Sequence, residues 1–389
     1  MKKAFALGSA PASLFSGPRR ATDALKQASC GNPGNRAGKG KLGVVAKQWR
    51  RGARLAVAAV ALTTVFHATA AQGDPTSFSY KDWEIACDNT RTCRAAGYQS
   101  EAGNSEPASI LLTRPARPAT AVEIDLQVGG ENDVRGPVSL KAGTAEVRGL
   151  GTEVARLSRA QAQSLLPQLM RAEEAVVSAA GGERRVVSLL GLNAVLLKMD
   201  EAQGRLDTPG ALVRRGSKPE SSVLPPLPVP VVKAVRPRGP RSGDAALAAR
   251  IFPTLDLREA KESCNQAQRI DAQAIAVNRL TDAKVLLSLE CGVGAYNDQS
   301  FLWIADDNPP YGARRLKASG GFDAKDGSVM SVQKGRGIGD CVWVEEAHFD
   351  GQGFVRTREA GDTLCRGFAG GAWNLPRYVS RVDHAPTPR

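Results

Sequence analysis

Cysteines are the residues of this sequence whose type and spacing bear most directly on chemistry. One of them, Cys30, lies near the amino terminus, and the other six follow Ala86. These six are Cys87, Cys93, Cys264, Cys291, Cys341 and Cys365. An even number of cysteines behind an export signal predicts a framework of disulfides. Sulfurs paired in disulfides are neither nucleophiles nor metal ligands, so the pairing removes the strongest candidates for both roles.

The distribution of these cysteines along the chain restricts their pairing. Cys87 and Cys93 are the two in the first half, and we expect them to pair with each other. The four in the second half leave three connectivities open. We prefer the sequential one, in which each cysteine pairs with its neighbour along the chain. The expected pairs are Cys87–Cys93, Cys264–Cys291 and Cys341–Cys365.

Metal and redox chemistry are the alternatives for the cysteines. Zinc sites need Cys or His ligands in tight pairs, and Cys87 and Cys93 are the one close pair. Beyond residue 71 the sequence has two histidines, His348 and His384, and neither sits at ligand spacing. A redox-active pair would have the C-x-x-C spacing and a following helix, which Cys87 and Cys93 lack. We therefore expect no metal and no cofactor.

Catalysis by a nucleophile or by paired acids finds little support in the sequence. Ser-His-Asp chemistry needs a placed histidine, but His384 lies in the predicted tail and His348 is isolated. The acids Asp340, Glu345 and Glu346 are close in sequence, although neighbouring residues of a strand point to opposite faces. We predict no catalytic residue. A carboxylate-dependent glycan hydrolase of the cell envelope stays open as the alternative.

Residues 48–71 have the three parts of a secretory signal peptide. Residues 48–54 are basic, residues 55–68 are apolar, and Ala68-Thr69-Ala70 matches an A-x-A cleavage site. The apolar stretch is shorter than the ~20 residues that a membrane-spanning helix needs. We predict cleavage near residue 71, a periplasmic location and no membrane attachment after cleavage. Residues 1–47 are either a misassigned start or a disordered extension.

The positive net charge of the whole chain does not describe the part predicted to be exported. The chain has 52 Lys and Arg and 39 Asp and Glu, a net of +13. Residues 1–71 hold 12 of the basic residues and a single acid, Asp23, which leaves 40 basic and 38 acidic residues beyond them. A nucleic-acid-binding protein shows a clustered excess of positive charge. We therefore expect no nucleic-acid partner.

A proline-rich stretch divides the sequence into two predicted domains. Residues 216–243 contain seven prolines with scattered Ser and Gly, a composition typical of a semi-rigid spacer. The predicted domains are residues 74–215 and 244–382, and residues 383–389 are read as a tail. Both domains are expected to be β-rich.

The helices of the first predicted domain carry clear signals. Ser158 with Gln161 three residues later is a capping box, although Pro167 is expected to kink or split the helix that follows. Apolar residues line one face of a second helix, which Gly204 is expected to cap. That stripe comprises Leu192, Val195, Leu196 and Met199. The predicted strands are residues 78–87, 108–113, 121–128, 144–148 and 184–189.

The second predicted domain is mostly strands. A short helix is expected over residues 257–264, and no G-x-G-x-x-G motif follows a strand, so a nucleotide-binding parallel sheet is not expected. The predicted strands are residues 273–277, 284–290, 301–305, 341–347 and 353–358. The fold class is therefore α+β and β-rich, with two domains of mainly antiparallel, sandwich-like sheets, a few helices and disulfide staples.

Several runs of residues resemble one protein family. Residues 82–99 (DWEIACDNTRTCRAAGYQ), 291–297 (CGVGAYN), 334–341 (KGRGIGDC) and 365–367 (CRG) resemble exported proteobacterial proteins known as domain of unknown function number 1176. The resemblance implies a periplasmic protein and carries no activity. The first predicted domain is also distantly similar to invasion-associated locus B proteins, which are exported and β-rich.

Polar and glycine-rich loops supply the candidate ligand contacts. Glycines in residues 334–341 leave backbone amides free to face an anion, and Lys334 and Arg336 add positive charge, although a glycine-rich loop clamped by a disulfide is the simpler interpretation. The candidate contacts are Asn89, Arg91, Tyr296, Asn297, Lys334, Arg336 and Asp340. We predict a non-catalytic envelope binding or structural module whose partner is an unidentified envelope component or protein.

Overall fold

The computed structural model describes residues 75–103, 105–130, 134, 136–264, 269–293 and 297–384, which all belong to one compact unit. The predicted signal peptide, the residues before it, Tyr296 and residues 385–389 lie outside the described residues. No helix in the described part of the chain is long and apolar enough to cross a membrane.

The amino-terminal part consists of two antiparallel sheets and two helices. The strands are β1 (Thr76–Tyr80), β2 (Trp83–Cys87), β3 (Cys93–Tyr98), β4 (Ala108–Arg114), β5 (Glu123–Val128), β6 (Val138–Ala142), β7 (Ala145–Leu150), β8 (Ala155–Arg156), β9 (Glu174–Ala179) and β10 (Arg184–Ser188). The helices are α1 (Arg159–Leu169) and α2 (Leu192–Ala202). One sheet has the order β1-β2-β3-β4-β5-β8, and the other has the order β10-β9-β6-β7.

Both helices follow the signals in the sequence. Ser158 caps α1, and the reciprocal capping box with Gln161 is present. The helix continues through Pro167 and ends two residues later at Leu169, so this proline does not split it. The predicted apolar stripe of α2 is buried, and Gly204 follows the helix with a φ of 67°.

The run at residues 78–87 forms a hairpin and not the single strand that its alternation predicts. β1 ends at Tyr80, and β2 begins at Trp83. Lys81 adopts a φ of 57° and Asp82 completes the two-residue turn. The prediction was wrong here because a lysine in the left-handed region gives no turn signal of the kind that glycine or asparagine gives.

Strand β2 is buried on both faces. Trp83 and Ile85 point into the core that the sheet shares with α1 and α2. Ala86, on the opposite face, packs in a second cluster with Phe368 and Leu375 from the carboxy-terminal part. We call residues 361–375, which cover this outer face, the strap.

The carboxy-terminal part contains two further sheets, a pair of strands and two short helices. The strands are β11 (Val231–Ala234), β12 (Ile275–Arg279), β13 (Lys284–Val293), β14 (Asp298–Asp306), β15 (Arg314–Arg315), β16 (Gly321–Asp323), β17 (Ser328–Lys334), β18 (Val342–Phe349), β19 (Phe354–Gly361), β20 (Pro376–Val379) and β21 (Arg381–His384). The helices are α3 (Asp244–Ile251) and α4 (Arg258–Ser263). The sheets have the orders β12-β13-β14-β15 and β16-β17-β18-β19-β20.

Strand β13 explains how these sheets stack. Val285, Leu287 and Leu289 pack under α3 and α4, whereas Leu286 faces Phe349 of the other sheet. The near-continuous apolar run of β13 therefore reflects burial on both faces. The predicted β-rich fold class with antiparallel sheets, a few helices and three disulfides is confirmed.

The proline-rich segment is packed onto the protein and does not act as a detached spacer. Its residues form β11, which pairs in parallel with β21, and the amide of Leu227 donates to the carbonyl of Thr90 at 3.3 Å. The same pairing places Asp383 and His384 in a strand, although the sequence suggests a tail. Val231 and Val232 are β-branched residues, which favour a strand. The many prolines around them made this local strand signal hard to recognise in the sequence.

Candidate functional site

The described residues contain three disulfides, with the sequential connectivity that the cysteine distribution favours. Cys87 and Cys93 lie opposite each other in the β2–β3 hairpin. Both are buried, with at most 2% of their surface exposed, so a partner thiol has no access to them. The other bonds join α4 to β13, and the loop before β18 to the strap. These two bonds are Cys264–Cys291 and Cys341–Cys365.

Residues 335–341 form the loop between β17 and β18, which we call the clamp loop. The amide of Gly335 donates to the carbonyl of Cys341 at 2.9 Å and closes it. A Cβ atom at Gly335 would lie 2.5 Å from the Sγ of Cys341. Only glycine fits against the disulfide at this position, so the disulfide and the glycine together fix the shape of the loop.

Asn297 holds the strand that leads into the clamp loop. Its side-chain oxygen accepts from the amide of Lys334 at 2.7 Å, and its side-chain nitrogen donates to the carbonyl of Lys334 at 2.9 Å. The amide group thus takes the place of a neighbouring strand. Asn297 therefore positions Lys334, whose exposed ammonium group makes no ion pair with a described residue.

Asp340 orients the second cation of the clamp loop. Its carboxylate is buried, with 1% of the residue exposed, and it pairs with Arg336 and accepts from the amide of Gly367 at 2.6 Å. Burial opposes ionisation, but these hydrogen bonds outweigh it and hold the pKa of Asp340 below its usual value. The side chain of Arg336 remains 53% exposed, so the guanidinium is fixed at one end and open to solvent.

Three successive amides of the clamp loop have no hydrogen-bond partner in the described part of the chain. The N–H groups of Arg336, Gly337 and Ile338 donate no hydrogen bond to another described residue. The amide of Gly339 donates to the carbonyl of Arg336 at 2.9 Å, which curls the loop around them. Unpaired amides in a curled, glycine-rich loop are an arrangement that binds anions.

A metal is not the ligand that this arrangement suits. Asp340, Cys341 and Cys365 bring three potential ligand atoms within 4.8 Å of one another. Both sulfurs are already bonded to each other, and Arg336 occupies the carboxylate. A metal would need deprotonated thiols, so this cluster in the described part of the chain has one available ligand at most.

Asn89 and Arg91 do not join the clamp loop residues. The side chain of Asn89 exchanges two hydrogen bonds with the backbone of Val379, at 2.8 and 3.0 Å. Arg91 donates to the carbonyl of Pro225 at 2.9 Å. The sequence predicts both residues as ligand contacts, and in the structure their side chains attach β20 and the proline-rich segment to the β2–β3 hairpin.

The two acids of β18 point to opposite faces, as alternation predicts. Glu345 accepts from the indole nitrogen of Trp343 at 3.0 Å, and Glu346 lies 3.8 Å from the Nδ1 atom of His348. His348 is not isolated: its ring lies 5.8 Å from that of His384, measured between centroids. The predicted isolation was wrong because β21 pairs with β11 and His384 thereby comes to lie beside His348, a proximity that only the tertiary structure reveals.

The seam between the strap and the outer face of the first sheet holds charged residues that sequence reasoning missed. The carboxylate of Glu84 accepts from Tyr98 Oη at 3.1 Å and from the amide and hydroxyl of Thr363 at 2.9 and 2.8 Å. Arg366 lies 3.1 Å from Asp82. The partners are far apart in sequence, so no local spacing identifies them. The sequence did contain one signal of the seam: polar residues alternate with the apolar residues of β2, and a strand with this pattern has one polar face.

Burial changes the acidity of two groups in the seam. Burial and the nearby charge of Glu84 raise the pKa of Tyr98 well above its usual value. Burial also raises the pKa of Asp362 to about 6, and the charge of Glu84 adds to the effect. One oxygen of Asp362 accepts from the amide of Val342 at 2.9 Å, and the other is buried without a hydrogen bond. The protonated acid is therefore the favoured form of Asp362 below pH 6.

Comparisons with known proteins identify a family without an assigned role. The family model described as protein of unknown function (DUF1176) matches residues 77–380. The uncharacterized protein YpfG of Escherichia coli strain K12 is 26% identical over 335 residues, covering 77% of this chain and 92% of that protein. The crystal structure of invasion associated protein B from Bartonella henselae covers 33% of this chain and 99% of that chain, at 16% identity and a TM-score of 0.26.

Proposed function

Because the chain belongs to the DUF1176 family of proteins of unknown function, we propose a function from the geometry of its own residues: a non-catalytic periplasmic protein that binds an anionic component of the cell envelope at the clamp loop. The observation that carries the proposal is the combination of two exposed cations, Lys334 and Arg336, with three successive amides that have no hydrogen-bond partner among the described residues. The three disulfides support a location outside the cytoplasm.

Rigidity supports binding at this loop. The Cys341–Cys365 disulfide, the tight fit of Gly335 and the buried Asp340 hold the amides and cations in place before a ligand arrives. A pre-organised site loses less conformational entropy on binding than a flexible loop. The ligand that fits is a phosphate or carboxylate group, such as those of lipopolysaccharide or peptidoglycan, because backbone amides and cations together recognise oxyanions.

The placement of the acids favours binding over glycan hydrolysis. A paired-carboxylate hydrolase needs one protonated acid and one free carboxylate on either side of a substrate. Asp340 is ion-paired and hydrogen-bonded, and its pKa is lowered. Glu345 is exposed on a strand and bonded to Trp343. Neither acid is arranged to protonate a leaving group.

Retention on isolated envelope fractions tests the proposal. Purified, oxidised protein is passed over immobilised peptidoglycan and over lipopolysaccharide vesicles, with the variants K334Q/R336Q and K325Q/R314Q in parallel. The second variant removes the same charge from exposed residues outside the clamp loop. We expect wild type and K325Q/R314Q to be retained on at least one fraction and K334Q/R336Q to elute. Absence of wild-type retention on both fractions, or equal retention of both variants, would contradict the proposal.

A further inference from the structure

Strand β1 forms an edge of the first sheet, and no other described strand lies beyond it. It pairs with β2 alone among the described strands, and residues 77–80 are all exposed. Phe78 and Tyr80 keep 37% and 50% of their surface exposed. Such an edge offers unpaired backbone groups and apolar side chains to another strand.

The two edge strands of this sheet differ in how well they are protected against pairing with another strand. At the far edge, β8 is only two residues long, and its Arg156 makes a two-pronged ion pair with Asp125 at 2.8 and 3.1 Å. A short, charged strand is a common protection against unwanted pairing. β1 has five residues and neither a charge nor a proline, so it lacks each of these protections.

The hairpin turn determines which groups of β1 face outward. A two-residue connection makes Tyr80 and Trp83 a hydrogen-bonded pair, and such pairs alternate along antiparallel strands. The backbone groups of Phe78 therefore face β2, whereas those of Ser77 and Ser79 face away from it. The amides of both serines make no backbone hydrogen bond to another described strand.

We propose that β1 pairs antiparallel with β1 of a second copy of this chain, about a two-fold axis through Phe78. The central residues Ser77-Phe78-Ser79 read the same in both directions. Ser77 then lies opposite Ser79 of the other copy, which satisfies the outward amides and carbonyls of both. Phe78 lies opposite its own counterpart in a non-hydrogen-bonded pair, where side chains approach most closely.

A second copy fits this edge because the strand is self-complementary and uncharged. A two-fold interface requires the same patch on both partners to match itself, and no like charges meet within β1. Leu190, which is 53% exposed and whose carbonyl accepts from Asp82 at 3.2 Å, extends the apolar surface beside the strand. Pairing would join two six-stranded sheets into one continuous sheet.

The mass of the purified, oxidised full chain in solution tests the proposal. Light scattering over a range of concentrations is compared for wild type, Ser79→Ala and Ser79→Pro. The alanine keeps the outward amide and the proline removes it, while the amides that face β2 are left in place. We expect wild type and Ser79→Ala to have the mass of two chains and Ser79→Pro to have the mass of one.

A second variant guards against a folding defect in the proline variant. Phe78→Lys places two positive charges opposite each other at the two-fold axis, and we expect it to be a monomer with a near-ultraviolet circular dichroism spectrum like that of wild type. Wild type with the mass of one chain at every concentration would overturn the proposal. Persistence of the dimer in either Ser79→Pro or Phe78→Lys would overturn it as well.

Discussion

Two acid–arginine pairs lie on either side of the disulfide that joins the clamp loop to the strap, and they differ in exposure. In the seam, Arg366 and Asp82 have 6% and 11% of their side chains exposed. In the clamp loop, Asp340 is fully buried but Arg336 is 53% exposed. The same chemistry thus holds two parts of the fold together in one place and presents a cation to solvent in the other.

Desolvation is the physical reason for the difference. A charge removed from water needs its partner, so breaking a buried pair leaves an uncompensated charge at a cost of roughly 3–5 kcal/mol. Exposed pairs contribute about 0–1 kcal/mol because water replaces the lost partner. Changes in the seam should therefore alter stability strongly, whereas changes at the exposed cations should alter binding and affect stability much less.

The largest effect is expected for Glu84→Gln in the seam. Its carboxylate accepts from Tyr98 and from two groups of Thr363, and an amide nitrogen would face some of these donors. We expect a loss of about 2–4 kcal/mol in the free energy of unfolding, measured by urea denaturation at pH 7. Glu345→Gln, on the exposed face of β18, is the matched control and should change the free energy by less than about 0.5 kcal/mol. Equal effects of the two substitutions would contradict the expected difference between the buried seam and an exposed strand face.

Asp362→Asn is expected to stabilise the protein at neutral pH. The folded-state pKa of Asp362 is raised to about 6 from 3.8, so its contribution to stability is fully present below pH 4 and is lost as pH rises through 6. Since one pKa unit corresponds to about 1.4 kcal/mol, the ionised form costs up to roughly 3 kcal/mol. We expect the variant to raise the melting temperature at pH 7.5.

The pH dependence provides the control for Asp362→Asn. At pH 4 the native acid is protonated, and the variant should melt close to wild type. Between pH 4 and 6 the wild-type stability should fall more steeply than that of the variant. A variant that is less stable than wild type at pH 7.5 would show that the carboxylate is favoured in its ionised form.

A small effect on stability is expected for Arg336→Gln in the clamp loop. Glutamine can still donate to Asp340, and the lost charge is half exposed. Because the buried carboxylate of Asp340 keeps the amide of Gly367 as a donor, we expect a loss of about 1–2 kcal/mol in urea denaturation, smaller than that of Glu84→Gln. A loss as large as that of Glu84→Gln would mean that Arg336 supports the fold in the same way as the seam does.

The smallest effect is expected for Lys334→Gln. Its ammonium group makes no ion pair with a described residue, and Asn297 holds its backbone, which the substitution leaves unchanged. The unfolding midpoint should match that of Lys325→Gln, a lysine in the turn before β17. A shift in the midpoint confined to Lys334→Gln would reveal a structural role for this charge.

Local signals in the sequence account for much of the fold. The capping box at Ser158, the apolar stripe of α2 and the continuous apolar run of β13 each predict an element that the structure contains. Each signal lies within a dozen residues. The lysine turn at residue 81 and the short helix α3 gave weaker local signals, and both were missed.

The same distinction between local and long-range signals applies to the candidate site. Glycine spacing and adjacent cations predicted the clamp loop, and the structure brings Asn297, Lys334, Arg336 and Asp340 together there. Asn89 lies apart from this loop, where its side chain binds the backbone of Val379, and a polar turn residue gives no local signal of such a distant contact. The seam was missed because its partners lie about 280 positions apart, and a single sequence contains no trace of that proximity.

The central claim is that the seam stabilises the fold whereas the clamp loop binds the ligand. Unfolding and ligand retention measured together on Glu84→Gln and K334Q/R336Q test this claim most directly. It predicts that Glu84→Gln lowers the unfolding midpoint in urea while its folded form is retained on the envelope fractions as strongly as wild type. It predicts that K334Q/R336Q lowers the midpoint much less than Glu84→Gln does and loses retention. A clamp loop variant that loses as much stability as Glu84→Gln, or that keeps its retention, would contradict it.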